Sequence, residues 1–270
     1  MDLVLKSNPI TEGREVATPF KYPDISAVPD GVTPKLLNEQ EQSDYRSIVG
    51  AILYAANITR IDLSYIVGVL ARYVNAPYNY HMDSVRKVLS YLHHRTSWKL
   101  LFTHSPSQSK ENGYHIKIYS DSSFGDDKCD RKSTSGWIST FNDRPISWQS
   151  KKQSTVATST AESELYGLCE GVKEGLFLRH WFEFYTGVAP KIEIMGDNQG
   201  SLFIADHTTS HNRTKHIDIQ HFFVREHVKS KEITLTYVQT QDMLADILTK
   251  ATKKIIFQRL INQLMLTTNH

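Results

Sequence analysis

The sequence predicts a mixed α/β protein, with a five-stranded mixed sheet and flanking helices preceded by a small helical module. Two observations lead to this fold class. Apolar residues keep helical spacing through residues 39–98, whereas short strand-like runs alternate with helical runs beyond residue 113. The later runs are three strands, a helix, a strand, two helices, a strand and a helix. That order is typical of a mixed sheet covered by helices on both faces.

The first 103 residues are predicted to be an irregular segment followed by the helical module. Residues 1–38 contain five prolines, which break helices. In the module, residues 39–103, one helix follows Asn38, a second has Asp62 as its expected N-cap, and a third precedes a polar stretch. That stretch is the expected boundary, so the domain containing the sheet is predicted to be 113–266.

The predicted sheet domain begins with three strands joined by short polar turns and continues with a long helix. Thr160 is the expected N-cap of this helix because it precedes a run with helical spacing. The predicted strands are 116–124, 134–141, 145–150, 192–195 and 233–238, and the predicted helices are 160–185, 200–206, 216–229 and 242–266.

Bulk composition excludes few functions. The net charge is +2, so charge alone does not indicate a nucleic-acid partner. The two cysteines lack the spacing of a metal or redox motif, and we expect Cys169 in the core and Cys129 at the surface as a free thiol. No apolar run approaches the roughly 18 residues of a membrane helix, so neither a membrane span nor a membrane partner is expected.

One segment, residues 128–152, is locally basic. Two interpretations remain open for it, a phosphate-binding surface and a solubilising surface hairpin. Its cations are Lys128, Arg131, Lys132, Arg144, Lys151 and Lys152.

Four carboxylates are the candidate site. Asp121 and Asp197 end apolar strand-like runs, and Glu164 and Asp246 lie near predicted helix starts. An acid that closes a buried strand needs a partner or a metal, and hard oxygen ligands suit Mg²⁺. Paired metals can clamp the attacking and leaving oxygens of a phosphodiester. The alternative is that these four belong to the solvated surface, since the chain has 29 acidic residues.

Seven short motifs, taken in order, resemble the type 1 ribonuclease H of copia-type LTR retrotransposons. Two earlier strings, YRSIVGAILY at 45–54 and DLSY at 62–65, resemble the thumb or connection segment that precedes that domain, so the resemblance covers roughly residues 16–260. The seven are SDSSFG (120–125), KSTSGW (132–137), SWQSKKQ (147–153), STAESELY (159–166), DNQ (197–199), KHIDI (215–219) and ADILTK (245–250).

The resemblance implies a fold, an activity and a metal. It implies a ribonuclease H-like sheet in which Asp121, Glu164, Asp197 and Asp246 are catalytic and hold two Mg²⁺ ions, for which Mn²⁺ can substitute. The RNA strand of an RNA–DNA hybrid would be cut to leave 3′-hydroxyl and 5′-phosphate ends. Selection of RNA would rest on contacts to its 2′-hydroxyls.

Two neighbouring acids leave alternatives open. Glu162 precedes Glu164 by two residues, so on a helix the two point about 200° apart and cannot both face one metal. Glu164, followed by leucine, matches the family's acidic position better. Asp242 lies one helical turn before Asp246, either near the site or as the cap of the last helix.

Seven further residues are candidate substrate contacts. Those beside the carboxylates have strand-end turn chemistry as their competing interpretation. His216 begins a predicted helix, and its competing role is a local hydrogen bond. The seven are Ser122, Ser123, Lys151, Lys152, Asn198, Gln199 and His216.

The sequence departs from the family pattern at two places. The sequence has no Tyr-x-Asp-Asp motif of a polymerase palm, so we expect no polymerase activity and regard the chain as the end of a longer polyprotein whose palm is a partner. The loop 238–242 lacks the histidine of cellular ribonucleases H. The competing hypothesis is a truncated, non-catalytic relic that folds and binds nucleic acid. The resemblance implies cytoplasmic virus-like particles, with the nucleus as the alternative location.

Overall fold

The computed structural model describes residues 16–21, 28–100, 102, 113–206 and 215–267, with side chains omitted at 203–206, 215–218 and 266–267. The chain forms two compact units. Residues 1–100 with 250–270 make up the first, here called the helical unit, and residues 101–249 make up the second, the sheet unit. The predicted irregular segment lies partly outside the described residues.

The elements follow the predicted order closely. In chain order they are α1 (Glu39–Ile58), a 3₁₀ turn (Ile61–Leu63), α2 (Ser64–Ala71), α3 (Asn79–His93), β1 (Trp98–Lys99), β2 (His115–Ser123), β3 (Thr134–Phe141), β4 (Arg144–Lys152), α4 (Thr160–Thr186), β5 (Lys191–Gly196), α5 (Gln199–Asp206), α6 (Lys215–Lys229), β6 (Ile233–Tyr237), a 3₁₀ turn (Thr240–Asp242), α7 (Asp246–Thr249), α8 (Lys254–Leu264) and β7 (Leu266–Thr267).

In the helical unit, the helices pack through their apolar faces, and nearby polar groups cap the start of α1. Helix α1 begins at a capping box, in which Asn38 Oδ1 accepts from the Glu41 backbone N–H and the Glu41 carboxylate accepts from Asn38 N–H, both at 2.9 Å. Its buried face, Tyr45 to Ile52, follows the predicted spacing. The prediction that Asp62 caps the second helix is wrong, because Asp62 is buried in a 3₁₀ turn and pairs with the Arg60 guanidinium.

The sheet unit confirms the predicted mixed sheet. Its strand order is β4-β3-β2-β5-β6, with antiparallel pairing from β2 to β4 and parallel pairing of β5 with both β2 and β6. Apolar residues of β2 and β5 pack against α4 to form the core, where Cys169 is buried as predicted, while Cys129 is exposed.

Three glycines at four-residue spacing bring α4 directly onto the sheet. A Cβ atom at Gly167 would lie 2.9 Å from the Asp121 carbonyl oxygen, and one at Gly175 would lie 2.7 Å from Ile192 Cγ2. Gly171 faces Ser120 and Ile118 between them. Helix α4 therefore runs antiparallel to β2, and its N-terminus lies at the carboxyl end of that strand.

The prediction of one continuous helix over residues 242–266 is wrong. This segment is broken into a 3₁₀ turn and the separate helices α7 and α8, and α8 belongs to the helical unit. The physical reason is that α8 buries its apolar face there, with Phe257 against Phe20 at 5.2 Å and Tyr91 at 6.4 Å between ring centroids. The domain limits 39–103 and 113–266 stay a prediction, since compact units need not equal domains that fold alone.

Two smaller findings complete the fold. The N-cap of α4 is Ser159 rather than Thr160, because the Ser159 hydroxyl accepts from the Glu162 N–H at 3.1 Å. Among the residues that the structure describes, no helix combines the length and the apolar character that crossing a membrane requires.

Candidate active site

Three of the four predicted carboxylates come together in the sheet unit. Asp121, Asp197 and Asp246 each offer an oxygen, and these oxygens all lie within 4.8 Å of one another. Asp121 is 2% exposed and Asp246 6% exposed, while Asp197 is half-buried. The group therefore opens to solvent on the Asp197 side.

Strand pairing explains why Asp121 and Asp197 meet. Strands β2 and β5 are parallel neighbours, so their carboxyl ends lie at the same edge of the sheet. Tyr119 and Met195 are register partners, and each aspartate lies two residues beyond its member of that pair. Asp121 lies in β2 and Asp197 directly follows β5, so both side chains lie at this edge of the sheet, where their oxygens come within 4.8 Å of each other.

A second glycine contact places Asp246. Gly136 in β3 is the register partner of Asp121, and a Cβ atom there would lie 2.7 Å from Leu248 Cβ. The single turn of α7 therefore rests directly on β3. The Ser150 hydroxyl donates to the Leu248 carbonyl at 2.6 Å, which holds α7 against β4 as well. Asp246 is the first residue of this turn.

Glu164 is not part of the carboxylate group. It is half-buried and lies one helical turn before Gly167, where α4 passes the carboxyl end of β2. Glu162 has a local role, because its carboxylate accepts from the N–H and the hydroxyl of Thr158, both at 2.6 Å. This arrangement favours Glu164 over Glu162 as the fourth acid, and its role stays a prediction.

Asp242 does not begin a helix. It ends a 3₁₀ turn and is exposed, so the expectation that it caps the last helix is wrong. His216 lies in the first turn of α6, but its side chain is outside the described residues. Its role stays a prediction.

The polar residues beside the carboxylates mostly serve the backbone or the core. Ser122 is buried on the face opposite Asp121, and its hydroxyl accepts from Gln153 Nε2 at 3.1 Å. Asn198 caps α5, since its Oδ1 accepts from the Ser201 N–H at 3.0 Å. Ser123 is half-buried at the end of β2, and Gln199 is exposed at the start of α5. Ser123 and Gln199 are therefore the two of these four residues whose side chains remain candidates for contacting a substrate.

The two candidate lysines of β4 differ. The Lys152 ammonium pairs with the Asp127 carboxylate and lies 2.9 Å from Asp130 Oδ1. The hydrogen bond from Lys152 lowers the pKa of Asp130 below its usual value. Lys151 is exposed and lines a cleft of about 270 Å³ beside Trp137. Part of the basic segment therefore pairs with acids of the loop between β2 and β3, whereas Lys151 is exposed at the cleft.

One residue that the sequence interpretation did not single out touches the group. The Thr249 hydroxyl donates to Asp121 Oδ2, and Thr249 is fully buried. The available signal was its position three residues after Asp246, one turn along the same helix. A local pattern does not show that this turn lies against β2, so only the structure reveals the contact.

The donor set fits a hard divalent cation. The three converging side chains are all carboxylates, with neither histidine nor cysteine among them. Oxygen donors of this kind are the ligands that Mg²⁺ prefers. Bringing three like charges so close is unfavourable without a neutralising partner, and a cation bound among them removes that cost.

Comparison with known proteins identifies relatives over most of the chain. No protein-family model matches it. The retrovirus-related Pol polyprotein of transposon RE2 from Arabidopsis thaliana is 32% identical over 274 residues, 96% of this chain and 17% of that polyprotein. That of transposon TNT 1-94 from Nicotiana tabacum is 32% identical over 79% of this chain and 16% of the polyprotein. The chain therefore spans about a sixth of the length of these relatives.

Among solved structures, similarity is low. Ribonuclease H1 from Halobacterium salinarum is 15% identical, with a TM-score of 0.39, over 50% of this chain and 94% of that one. The strand order β4-β3-β2-β5-β6 and its mixed pairing define the fold of the sheet unit.

Proposed function

Because the chain is a homologue of the Pol polyproteins of copia-type retrotransposons, we propose that its sheet unit is a ribonuclease H. It would hydrolyse the RNA strand of RNA–DNA hybrids during reverse transcription of the element, with two Mg²⁺ ions as cofactors and Mn²⁺ as a substitute. The reverse-transcriptase palm of a parent polyprotein would be its partner.

The convergence of Asp121, Asp197 and Asp246 within 4.8 Å carries this proposal. These carboxylates would hold the metal ions, with Glu164 contributing from the N-terminal turns of α4. Bound Mg²⁺ would activate a water molecule and stabilise the leaving oxygen of the phosphodiester. Hydrolysis adds the elements of water across one P–O bond and leaves 3′-hydroxyl and 5′-phosphate ends.

The chain's own residues would have two tasks in this reaction. The buried carboxylates would keep their positions because α7 packs directly on β3 at Gly136, the register partner of Asp121, so little reorganisation is needed when charge develops. Ser123, Gln199 and Lys151 are accessible and would contact the hybrid. Contacts to 2′-hydroxyls across the minor groove would distinguish the RNA strand.

The test is gel-resolved cleavage of a labelled RNA–DNA hybrid in Mg²⁺, with double-stranded RNA beside it. We expect the wild-type chain to cut the RNA–DNA hybrid but not the double-stranded RNA. The Asp197→Asn substitution should abolish this cleavage. Asp143→Asn is the matched control, because Asp143 is exposed in the turn between β3 and β4 and lies outside the carboxylate group, and it should cut at the wild-type rate.

Two other outcomes would change the proposal. Equal cleavage by Asp197→Asn would show that the carboxylate group is not the active site. A folded wild-type chain that binds the hybrid, with affinity falling steeply as salt rises, but cuts nothing in Mg²⁺ or Mn²⁺ would favour the non-catalytic alternative.

A further inference from the structure

A buried hydroxyl holds one oxygen of the Asp121 carboxylate. Thr249 Oγ1 donates to Asp121 Oδ2, and the two residues are 128 positions apart in sequence. Thr249 is fully buried and Asp121 nearly so, which means that water does not compete for this bond. We propose that Thr249 is a positioning residue for the Asp121 carboxylate, an inference that rests on the proposed ribonuclease H function.

The hydrogen bond fixes an otherwise soft rotation. The terminal torsion of an aspartate is broad, so a carboxylate without such a bond samples many orientations. A donor on one oxygen sets the plane of the group and directs the other oxygen. Partners of this kind, which bond a metal ligand rather than the metal, orient ligands and contribute to metal affinity.

Both branches of the threonine side chain are used. A Cβ atom at Gly136 would lie 2.9 Å from Thr249 Cγ2, so the methyl group lies directly on the β3 backbone. Because a β-branched side chain is stiff about its first torsion, this packing sets where the hydroxyl points. A threonine in a helix can bond the carbonyl one turn earlier; here that contact, to the Asp246 carbonyl, is 3.4 Å long.

One turn of helix therefore has two tasks. Helix α7 begins with Asp246, a member of the carboxylate group, and ends with Thr249, which orients another member. The Ser150 hydroxyl and the glycine contact hold this turn in place. The competing explanation is that Thr249 merely satisfies a buried acceptor without affecting the site.

Two substitutions separate these explanations. Thr249→Val keeps the shape and removes the hydroxyl, whereas Thr249→Ser keeps the hydroxyl and removes the methyl group. Mn²⁺ binding to the full chain, measured from the electron paramagnetic resonance signal of free Mn²⁺, is the first readout. The second is the separate measurement of kcat and KM for hybrid cleavage.

We expect Thr249→Val to bind Mn²⁺ about 10–100-fold more weakly and to lose a similar factor in kcat, with KM for the hybrid unchanged. Thr249→Ser should keep the Mn²⁺ affinity and kcat within about threefold of wild type, since the hydroxyl donor remains. The matched control is Thr252→Val. Thr252 is also buried, but its hydroxyl has no hydrogen-bond partner among the described residues, so Mn²⁺ affinity should not change.

Several outcomes would overturn the inference. They are wild-type Mn²⁺ affinity in Thr249→Val, equal losses in the valine and serine variants, or no Mn²⁺ binding by the wild-type chain. If the valine variant does not fold, Thr249→Ala makes the same comparison with Thr249→Ser. A wild-type chain that binds Mn²⁺ but cuts no hybrid would refute the proposed function alone, and the Mn²⁺ comparison would still decide the role of Thr249.

Discussion

The two units of this protein bury charge in opposite ways. In the helical unit, Arg60 and Asp62 are 4% and 2% exposed and form a pair with two hydrogen bonds of 2.9 and 2.7 Å. In the sheet unit, Asp121 and Asp246 are buried together with the same sign of charge, and Asp197 joins them. A buried pair of opposite charges has a structural role, whereas converging like charges indicate a site that binds a cation or takes part in a reaction.

The largest effect on stability should come from removing one partner of the buried Arg60–Asp62 pair. Asp62→Ala leaves the Arg60 guanidinium buried without its carboxylate, which should cost about 3–5 kcal/mol of unfolding free energy. Asp83→Ala removes an exposed ion pair in the same unit and should cost under about 1 kcal/mol. Chemical denaturation followed by circular dichroism measures both. Equal losses would show that burial does not distinguish the two pairs.

The helical unit also buries a titratable group in its neutral form. His81 Nδ1 accepts from the Tyr78 N–H at 3.0 Å, and burial lowers the pKa of His81 from 6.5 to about 4. Between those values the unfolded chain binds the extra proton, so this contribution to stability is complete above pH 6.5 and is lost as pH falls toward 4.

Replacing the ring with a non-titrating cap tests this acid sensitivity. His81→Gln keeps an acceptor at the third helical position. The wild-type protein loses unfolding free energy between pH 7 and pH 4, and this loss should be smaller in the variant by up to about 3 kcal/mol. The rings facing His81 are those of Tyr73, Tyr78 and Tyr80. Identical pH slopes for wild type and variant would refute the assignment.

The sheet unit should be sensitive to added volume beside its carboxylates. A Cβ atom at Gly167 would lie 2.9 Å from the Asp121 carbonyl oxygen, so Gly167→Ala should push α4 from β2 and cost about 1–3 kcal/mol. Gly50→Ala is the control on α1, where nothing lies within 4 Å, and it should stabilise by about 1 kcal/mol. Thermal unfolding of both variants measures the difference, and the same sign at both sites would contradict the packing argument.

The smallest effect has the opposite sign. Asp121→Asn removes one of three converging charges, so without metal the variant should be more stable than wild type by about 1 kcal/mol. Added Mg²⁺ should raise the melting temperature of wild type but not of the variant, because a ligand stabilises only the state that binds it. A destabilised variant without metal would mean that Asp121 serves the fold, as Asp62 does.

Local pattern predicted much of this protein. Apolar periodicity located the strands of the sheet and most helices to within a few residues, because it reports which face of each element is buried. It failed for 242–266, since the apolar faces of α7 and α8 have helical spacing in sequence yet pack in different units. No local signal records which core a face enters.

By itself, the sequence determined the secondary-structure elements and the identity of the acids, since these follow from side-chain chemistry and short-range spacing. The tertiary structure decided which acids meet. Asp121 and Asp197 converge because β2 and β5 are parallel neighbours, and Asp246 and Thr249 join them because Gly136 admits α7 onto the sheet. These contacts join residues far apart in the chain, so their geometry depends on strand order and close packing, which no single segment encodes.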